Sequence, residues 1–377
     1  MGALKPALFY DNMTCDEMGI LLASEKRGIN LETADFSTFV KILGEKNSYS
    51  PVINRCQSKS RRERASFLIE EQGGRVINPF SVEVLCNNKV FTINRFEKLG
   101  VKTVKTAYVP FAVEKEGDKP VYRADALNRV IREVEGLFKY PFVIKPERGS
   151  RGRNVMLIDS KSHFETILKK WVRSLDSPAG FLIQEPVSKA FDLRIVTSSY
   201  DGEKHNYLAS LARVPSSKEA FATNTALGAI PVGVELPQKA RDEAVKASKA
   251  VSQSINILGV DAIPEVSEDI AEEIISLAEK ISVIHNDIKR LKEEFSSSVK
   301  LSMEKFIKAR ERMDAAFQKM INASEYVKLK EMLENVLGST DLYFIEANSR
   351  PDFYINTRNC TGVDISEEYA KCIEASL

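Results

Sequence analysis

The sequence is short of the residues that carry most acid–base and nucleophilic catalysis. Only three histidines occur in 377 residues, His163, His205 and His285, and none sits near another candidate group. That excludes a histidine-centred nucleophile and a histidine zinc site. The five cysteines, Cys15, Cys56, Cys86, Cys360 and Cys372, are odd in number, scattered and without metal-ligand spacing. They read as free thiols, and a reducing cytoplasm is the expected location. The opening MGALKPALFYDNM has no apolar run long enough for a signal peptide, and nothing later is long enough for a bilayer span, so no membrane role is expected. Neither charge is in excess: 54 Lys+Arg against 53 Asp+Glu gives no general case for nucleic acid. Glycine and proline are missing altogether from the 73 residues 265–337. Without those breakers, long helices are expected there.

Against these absences stand two segments that make sense together. In 140–155, YPFVIKPERGSRGRNV, an apolar strand (Phe142, Val143, Ile144) delivers Lys145 beside a loop holding Gly149, Ser150 and Gly152. An ammonium is a point charge for phosphate, and a small-residue loop lets backbone N–H groups approach the same oxygens. In 343–351, YFIEANSRP, Glu346 and Asn348 are two apart on a strand and so share a face. A carboxylate and an amide oxygen side by side are hard ligands of the kind Mg²⁺ takes alongside water and nucleotide phosphate. Asp261, in the apolar strand ILGVDAI, is costly there unless paired or metal-bound, and would complete a magnesium site with that pair. Nucleotide plus magnesium is the chemistry these residues imply.

The length implies two or three domains. Up to residue 88, strands and helices alternate (ALFYD, a helix through Ile20, PVINRC, a helix over 60–72, RVIN), as in a small open α/β domain with ligands beyond its strand ends. Asp11, Asn12 and Arg55 fall at those ends. The basic cluster Lys59, Arg61, Arg62 and Arg64 is either a solvated first helical turn or a landing site for an acidic partner. A helix opened by Asn87 and Asn88 and stopped by Gly100 carries Lys89 in its first turn, where a cation is unhelpful to the helix and so points to a ligand. The charged stretch 114–123 reads as a hairpin or loop. Beyond it, Asp192 and Arg194 share one strand face, Arg213 ends the next strand, Asn224 lies in a loop and a helix spans 237–253.

Within 265–337, Ile270, Ile274, Leu277, Ile281, Ile284, Ile288, Leu291 and Phe295 recur in alternating steps of four and three, a heptad seam. The phase slips at 296–298 and resumes with Val299, Met303, Phe306, Met313, Phe317 and Met320. Two antiparallel helices joined near the serines would give this slip, as would one long helix with a stutter. Such an arm either packs on itself or offers its seam to a second copy or a carrier.

In this order the motifs resemble the ATP-grasp superfamily, and within it the RimK-like carboxylate–amine ligases. The matching runs are VINRCQSKSRRERASFLIEEQGGRVIN, VLCNNKVFT, PFVIKPERGSRGRNV, FLIQEP, DLRIV, the Asn224 loop, GVDAI, EANSRP and TGVDIS. They cover nearly the whole chain outside the helical insertion. The resemblance implies an α/β (α+β ATP-grasp) fold: an N-terminal α/β domain over 1–88, a central lobe with the phosphate loop over 89–186, a C-terminal lobe with the metal site over 187–264 and 339–377, and an inserted helical hairpin over 265–338. It implies ATP with Mg²⁺, or Mn²⁺ in its place. Lys89 and Lys145 would contact the nucleotide phosphates under a loop of Gly149, Ser150 and Gly152. Gln184, Glu185 and Val187 would line the adenine, with Asp192 also in the nucleotide set. Asp261, Glu346 and Asn348 would hold the metal, while Arg194, Arg213 and Asn224 would face the reacting groups. Asn12, Arg55 and Arg350 are the candidate substrate contacts.

Two positions depart from the family pattern. Asn154 stands where the family has the loop's last glycine, an exchange that asparagine's tolerance of a left-handed backbone permits. Arg350 replaces a small residue, either to clamp a substrate carboxylate or as a salt-bridge partner. The implied activity is ATP-dependent formation of an amide or isopeptide bond through an acylphosphate, with release of ADP and phosphate. Its substrates stay open: an amino acid such as glutamate added to a protein tail, peptide or cofactor, or, as in LysX-type enzymes, an amino acid's amine joined to the C-terminal glutamate of an acidic carrier protein. A non-catalytic nucleotide-binding scaffold acting through the arm is the third alternative.

Overall fold

The computed structural model describes residues 4–41, 43–46, 48–110, 114–116, 119–121, 124–149, 152–173, 180–217, 228–299 and 302–377. Ser150 and Asn224 lie outside them. At the N-terminus, β1 (Lys5–Tyr10), β2 (Glu32–Asp35), β3 (Tyr49–Asn54) and β4 (Val76–Ile77) form a parallel sheet in the order β2-β1-β3-β4, with α1 (Cys15–Lys26) and α2 (Lys59–Glu70) in its crossovers. A parallel sheet needs both faces covered. Accordingly Ala7 and Phe9 enter one core cluster, while Leu8 between them enters another. The polar strand β2 carries no apolar alternation and was not foreseen. Next come α3 (Phe80–Asn87) and α4 (Lys89–Lys98), the latter capped by the Asn88 carboxamide, which accepts from Val90 N at 2.9 Å.

The central lobe contains β5 (Thr106–Val109), the hairpin β6 (Glu114–Glu116) and β7 (Lys119–Val121), α5 (Ala124–Leu137), β8 (Phe142–Pro146), β9 (Met156–Ile158), α6 (Lys161–Arg173) and β10 (Phe181–Gln184). Its sheet runs β5-β10-β8-β9. Under α5 and α6 it has its own core, where Phe142 meets Phe164 edge-on at 5.1 Å. The C-terminal lobe contains β11 (Asp192–Ser199), β12 (His205–Val214), β13 (Ile230–Gly233), α7 (Gln238–Val251), β14 (Asn256–Pro264) and, after the insertion, β15 (Leu342–Asn348). These pair antiparallel as β13-β12-β11-β14-β15.

The insertion is three helices rather than a hairpin: α8 (Glu268–Ser298), α9 (Met303–Ile321) and α10 (Ser324–Ser339). Helix α8 runs through the serines, and α9 starts at the Ser302 cap. The second break falls at Asn322 and Ala323, where no glycine or proline marks it. The seam is also spent. Ile274, Ile281, Ile288 and Phe295 bury against α9, α10 and the C-terminal lobe, in one continuous core with Leu193 and Val232. Phe295 stacks on Phe306 at 5.1 Å, and Phe306 lies 5.5 Å from Tyr354 of the body. So the insertion packs onto its own chain, and its apolar stripe is unavailable for docking. Two short helices, α11 (Asn356–Thr361) and α12 (Ile365–Glu374), close the chain.

A buried ionic cluster ties the first domain to the last residues. Arg55 is fully buried, donating to Glu17 (2.9 Å), Asp16 (2.8 Å), the Pro351 carbonyl (3.0 Å) and the Tyr369 hydroxyl (3.1 Å). Its guanidinium also faces the Phe353 ring at 5.3 Å. Arg350 joins through Glu17 (2.9 Å) and the Arg55 carbonyl (2.7 Å). Arg55 and Arg350 were candidate substrate contacts; both are instead spent holding two domains together, because α12 and 350–354 cover the strand end that an isolated open sheet would leave free. Removing one partner of such a cluster strands the others in low dielectric. Arg55→Ala should therefore lower unfolding free energy by about 3–5 kcal/mol. The exposed Arg64→Ala should change it by less than about 0.5 kcal/mol. Denaturant titration checks both, and equal small effects would remove this cluster from the account of stability.

Candidate active site

Register across the C-terminal sheet assembles the acidic and basic residues. Asp192 on β11 is paired with Arg213 on β12, Arg194 on β11 with Asp261 on β14, and Asp261 with Glu346 on β15. Arg194 grips Asp261 with Nε and, at 3.0 Å, with Nη2. Arg213 donates Nε to Asp192 and Nη2 to the same Asp261 Oδ2 at 3.1 Å. Burial alone would raise the Asp261 carboxyl, but the Arg194 and Arg213 charges outweigh it and hold it below the usual range. Arg213 is correspondingly fixed as a cation by Asp192 and Asp261 despite its burial. Gly259 makes room for this: a Cβ there would lie 2.8 Å from Arg194 Cδ.

Facing this row are four lysines from three parts of the chain. The ammoniums of Lys59 and Lys89 both donate to the Gly149 carbonyl, at 2.9 and 3.2 Å. Lys89 Nζ is also 3.9 Å from Glu346 Oε1. Lys145, on β8, is pushed down to about 7, first by burial and then by the Lys89 charge, with Glu346 only partly offsetting them. Burial and Lys89 likewise push Lys59 down to about 8, and burial lowers Lys189. Cations gathered this closely in a partly dry site await an anion of several charges.

Between the central and C-terminal sheets lies a cavity of about 520 Å³ that collects these groups. Val104, Val143, Val155, Leu157, Ile263 and Ile345 line it with apolar surface, and Gln184, Glu185 and Val187 edge it. The Gln184 amide is already committed to Thr106 Oγ1 at 2.8 Å, and Glu185 is exposed and paired with Lys105. Gly149 and Gly152 are at the mouth, and Asn154 takes φ +59°, the left-handed backbone its glycine-like position requires. Glu346 and Asn348 both line the cavity, and the Asn348 amide nitrogen is buried with no partner among the described residues. Those two offer oxygens suited to Mg²⁺. Asp261 does not join them as arranged, since both its oxygens are taken by arginines; among the described residues no three His, Cys, Asp or Glu side chains are placed to hold a metal.

The structure thus brings together Lys89, Lys145, Gly149, Gly152, Gln184, Glu185, Val187, Asp192, Arg194, Arg213, Asp261, Glu346 and Asn348 around one cavity. Asn12 is outside it, bonded to Gln57 at the surface. Lys189 was missed, and Lys59 was read only within a basic cluster for an acidic partner or substrate, not as a lysine beside Lys89. Lys59 opens α2 just as Lys89 opens α4, so the same argument about a cation in a first helical turn would have found it.

Residues 121–289 match the RimK-like ATP-grasp domain. The chain carries a RimK-like ATP-grasp domain. Among similar proteins is the alpha-aminoadipate–LysW ligase LysX of Sulfurisphaera tokodaii, 29% identical over 68% of this chain and 84% of its own. The glutamate–LysW ligase ArgX of Sulfolobus acidocaldarius is 25% identical over 66% of this chain and 81% of its own. In fold, the chain resembles the ATP-grasp ligase PsnB complexed with a minimal precursor, with a TM-score of 0.55 and 13% identity, covering 99% of this chain and 100% of that one. This ligase is therefore ATP-dependent and ADP-forming, and it makes C–N bonds.

Lys145 supplies a pH test of nucleotide binding. In the empty site it titrates at about 7 instead of 10.5. A bound polyphosphate favours the charged form, so its value rises on binding. Between those two pH values binding must take up protons, and affinity must fall as pH rises. Calorimetry of ADP binding in buffers of different ionisation heat should show this uptake, reduced in Lys145→Arg, whose guanidinium stays charged. Binding without proton uptake would place Lys145 away from the phosphates.

Proposed function

We propose that this ligase joins the amine of an amino acid to a carboxylate-ended acidic acceptor. The observation that carries the reading is one cavity lined both by Lys89, Lys145 and Lys189 and by the Arg194–Asp261–Arg213 row, with Lys59 joined to it through the Gly149 carbonyl. The named activities of LysX and ArgX support an acceptor of carrier type over a tail-extending enzyme.

The lysines hold the triphosphate, and the apolar walls between Val104 and Ile345 take the flat base. A substrate carboxylate oxygen attacks the γ-phosphorus, the bond to the β-phosphate oxygen breaks, and ADP leaves. The amine then attacks the acyl carbon, and phosphate departs with the C–O bond's electron pair. Chemistry of this kind rests on positioning and charge neutralisation, so no protein nucleophile is required. Glu346 and Asn348 would hold Mg²⁺, whose charge when bound offsets that of the phosphates. Arg213, kept charged and aimed by Asp192 and Asp261, is the group placed to stabilise the transferring phosphoryl. Asn224, expected beside it, is outside the described residues.

ADP release should require Mg²⁺, an amino acid and a glutamate-ended acidic peptide together, with a product heavier by one condensed residue on mass spectrometry. Glu346→Gln, which keeps size and loses charge, should cut kcat by about 10²–10³. It should not weaken Mg²⁺-free ADP binding, since it removes a negative charge 3.9 Å from the Lys89 ammonium. Undiminished turnover would sink the metal assignment, and ADP release indifferent to every amine would sink the ligation.

A further inference from the structure

The inserted helix α8 does more than cover the body. Ile281, His285, Ile288, Lys292 and Phe295 follow steps of four and three, and they are its most buried stripe. Two of the five are polar, in a seam where an apolar residue would pack at no electrostatic cost. His285 is only 1% exposed, and neither ring nitrogen has a hydrogen-bond partner among the described residues. Burial, with Lys292 and Lys289 nearby, pushes its imidazole down to about 3, so it is neutral. Lys292 is half-buried and pushed down to about 8 by burial, and it touches the neutral Asn356 carboxamide at 2.9 Å. Lys289, one turn from each on the same face, packs against Gly228 just before β13.

Among the described residues no carboxylate pairs with this group. Asp287 and Glu294 on the same helix turn outward to Arg290 and Arg312. Arg358 of α11 brings no free charge, since Asp314 holds it. On the side of α11, Cys360 Sγ reaches the Pro231 carbonyl at 3.5 Å, and Pro231 is the register partner of Arg213. A Cβ on Gly233 would collide with the Cys360 carbonyl, so the glycine is what lets α11 lie flat on β13. The cluster thus sits at the β13 edge of the sheet whose other edge, β15, carries Glu346. Lys89, one of the lysines assigned to phosphate, is at that far edge, 3.9 Å from Glu346.

We propose that Lys289 and Lys292, with His285 and Asn356, form an anion subsite contributed by the insertion, which takes a carboxylate of the acidic substrate. The assignment rests on the ligase reading, since it places this carboxylate beside the phosphoryl-transfer residues. Two ammoniums match one or two negative charges, not the four of a triphosphate. An amino dicarboxylate's side chain and the terminal carboxylate of the acceptor are the two sources of that chemistry.

With only three histidines, ¹⁵N-histidine labelling reports on His285 directly, assigned by its loss in His285→Gln. L-Glutamate, an amine-blocked peptide ending in glutamate, and inorganic phosphate are each titrated with and without MgADP. A carboxylate arriving beside the ring raises its proton affinity, so a saturable shift of its nitrogens is expected for one of the two acids. Whichever acid gives it names the source. Lys292→Gln should weaken that response at least about tenfold, with MgADP affinity unchanged. Lys289→Gln, at a less buried position, should weaken it too and serves if the first variant does not fold. MgADP binding without any His285 response to either acid overturns the subsite and leaves the ligase reading standing. A response to phosphate alone, or one untouched by both lysine variants, also overturns it. Loss of MgADP binding with the acid response intact would instead remove the nucleotide reading.

Discussion

Asp261 is the anion on which the site depends. Two guanidiniums, from β11 and β12, would repel each other if no carboxylate stood between them, and Asp261 serves both at once. A single pair of this kind breaks even at best against apolar packing. Shared between two strands, it does something packing cannot: it sets the directions in which Arg194 and Arg213 present their remaining N–H groups. The sheet register is what brings it there, since Asp261 is opposite Arg194 on one side and Glu346 on the other. A one-residue slip of β14 would turn its carboxylate away from both arginines, taking Arg194 off its carboxylate and leaving Arg213 with Asp192 alone.

The opposite wall accepts strain of the reverse sign. Holding Lys145 charged at neutral pH, when its surroundings lower it from 10.5 to about 7, costs the empty protein on the order of several kcal/mol. The Lys59 and Lys89 ammoniums sharing one carbonyl add to this. That cost is returned when a polyphosphate enters, so the same residues weaken the free protein and strengthen the complex. The Arg55 cluster supports this arrangement from outside. It fastens the N-terminal domain, which carries Lys59, to 350–354, which follow the strand of Glu346, and so keeps the two walls of the cavity at a fixed separation.

Much of the site could be read from the chain because its chemistry is local. Lys145 next to a glycine loop, Glu346 two residues from Asn348, and Asp192 two from Arg194 are neighbours in sequence as well as in space. The errors arose where distant segments decide. Arg55 ends a strand, where an open sheet binds ligands, but Pro351 and Tyr369 cover it from some three hundred residues away. Asp261 was read as paired or metal-bound, and only the sheet order shows that it is paired. The three-helix insertion was taken for a hairpin because Ala323 ends one helix and begins another without a glycine or proline. Strand β2, reading Glu-Thr-Ala-Asp, has no pattern at all and forms because β1 offers it an edge.

The heptad reading of the insertion shows the same division. Counting apolar residues gave the correct helix and nearly the correct phase, yet it passed over His285 and Lys292, which share the buried stripe without being apolar. A helix added only to stabilise the lobe would gain from isoleucine at both positions, by about 1–3 kcal/mol for each well-packed side chain. Polar side chains held there, one with two nitrogens that find no partner among the described residues and one that meets a neutral amide and the Phe317 ring, are a cost that packing does not explain. Functional sites are where such local rules are broken. This break falls next to α11, which rests on Gly233 and, through Cys360, reaches the Pro231 position paired with Arg213. On the proposed subsite, the physical sense of the insertion is to complete the end of the site that takes the acidic substrate, as the lysine wall completes the nucleotide end.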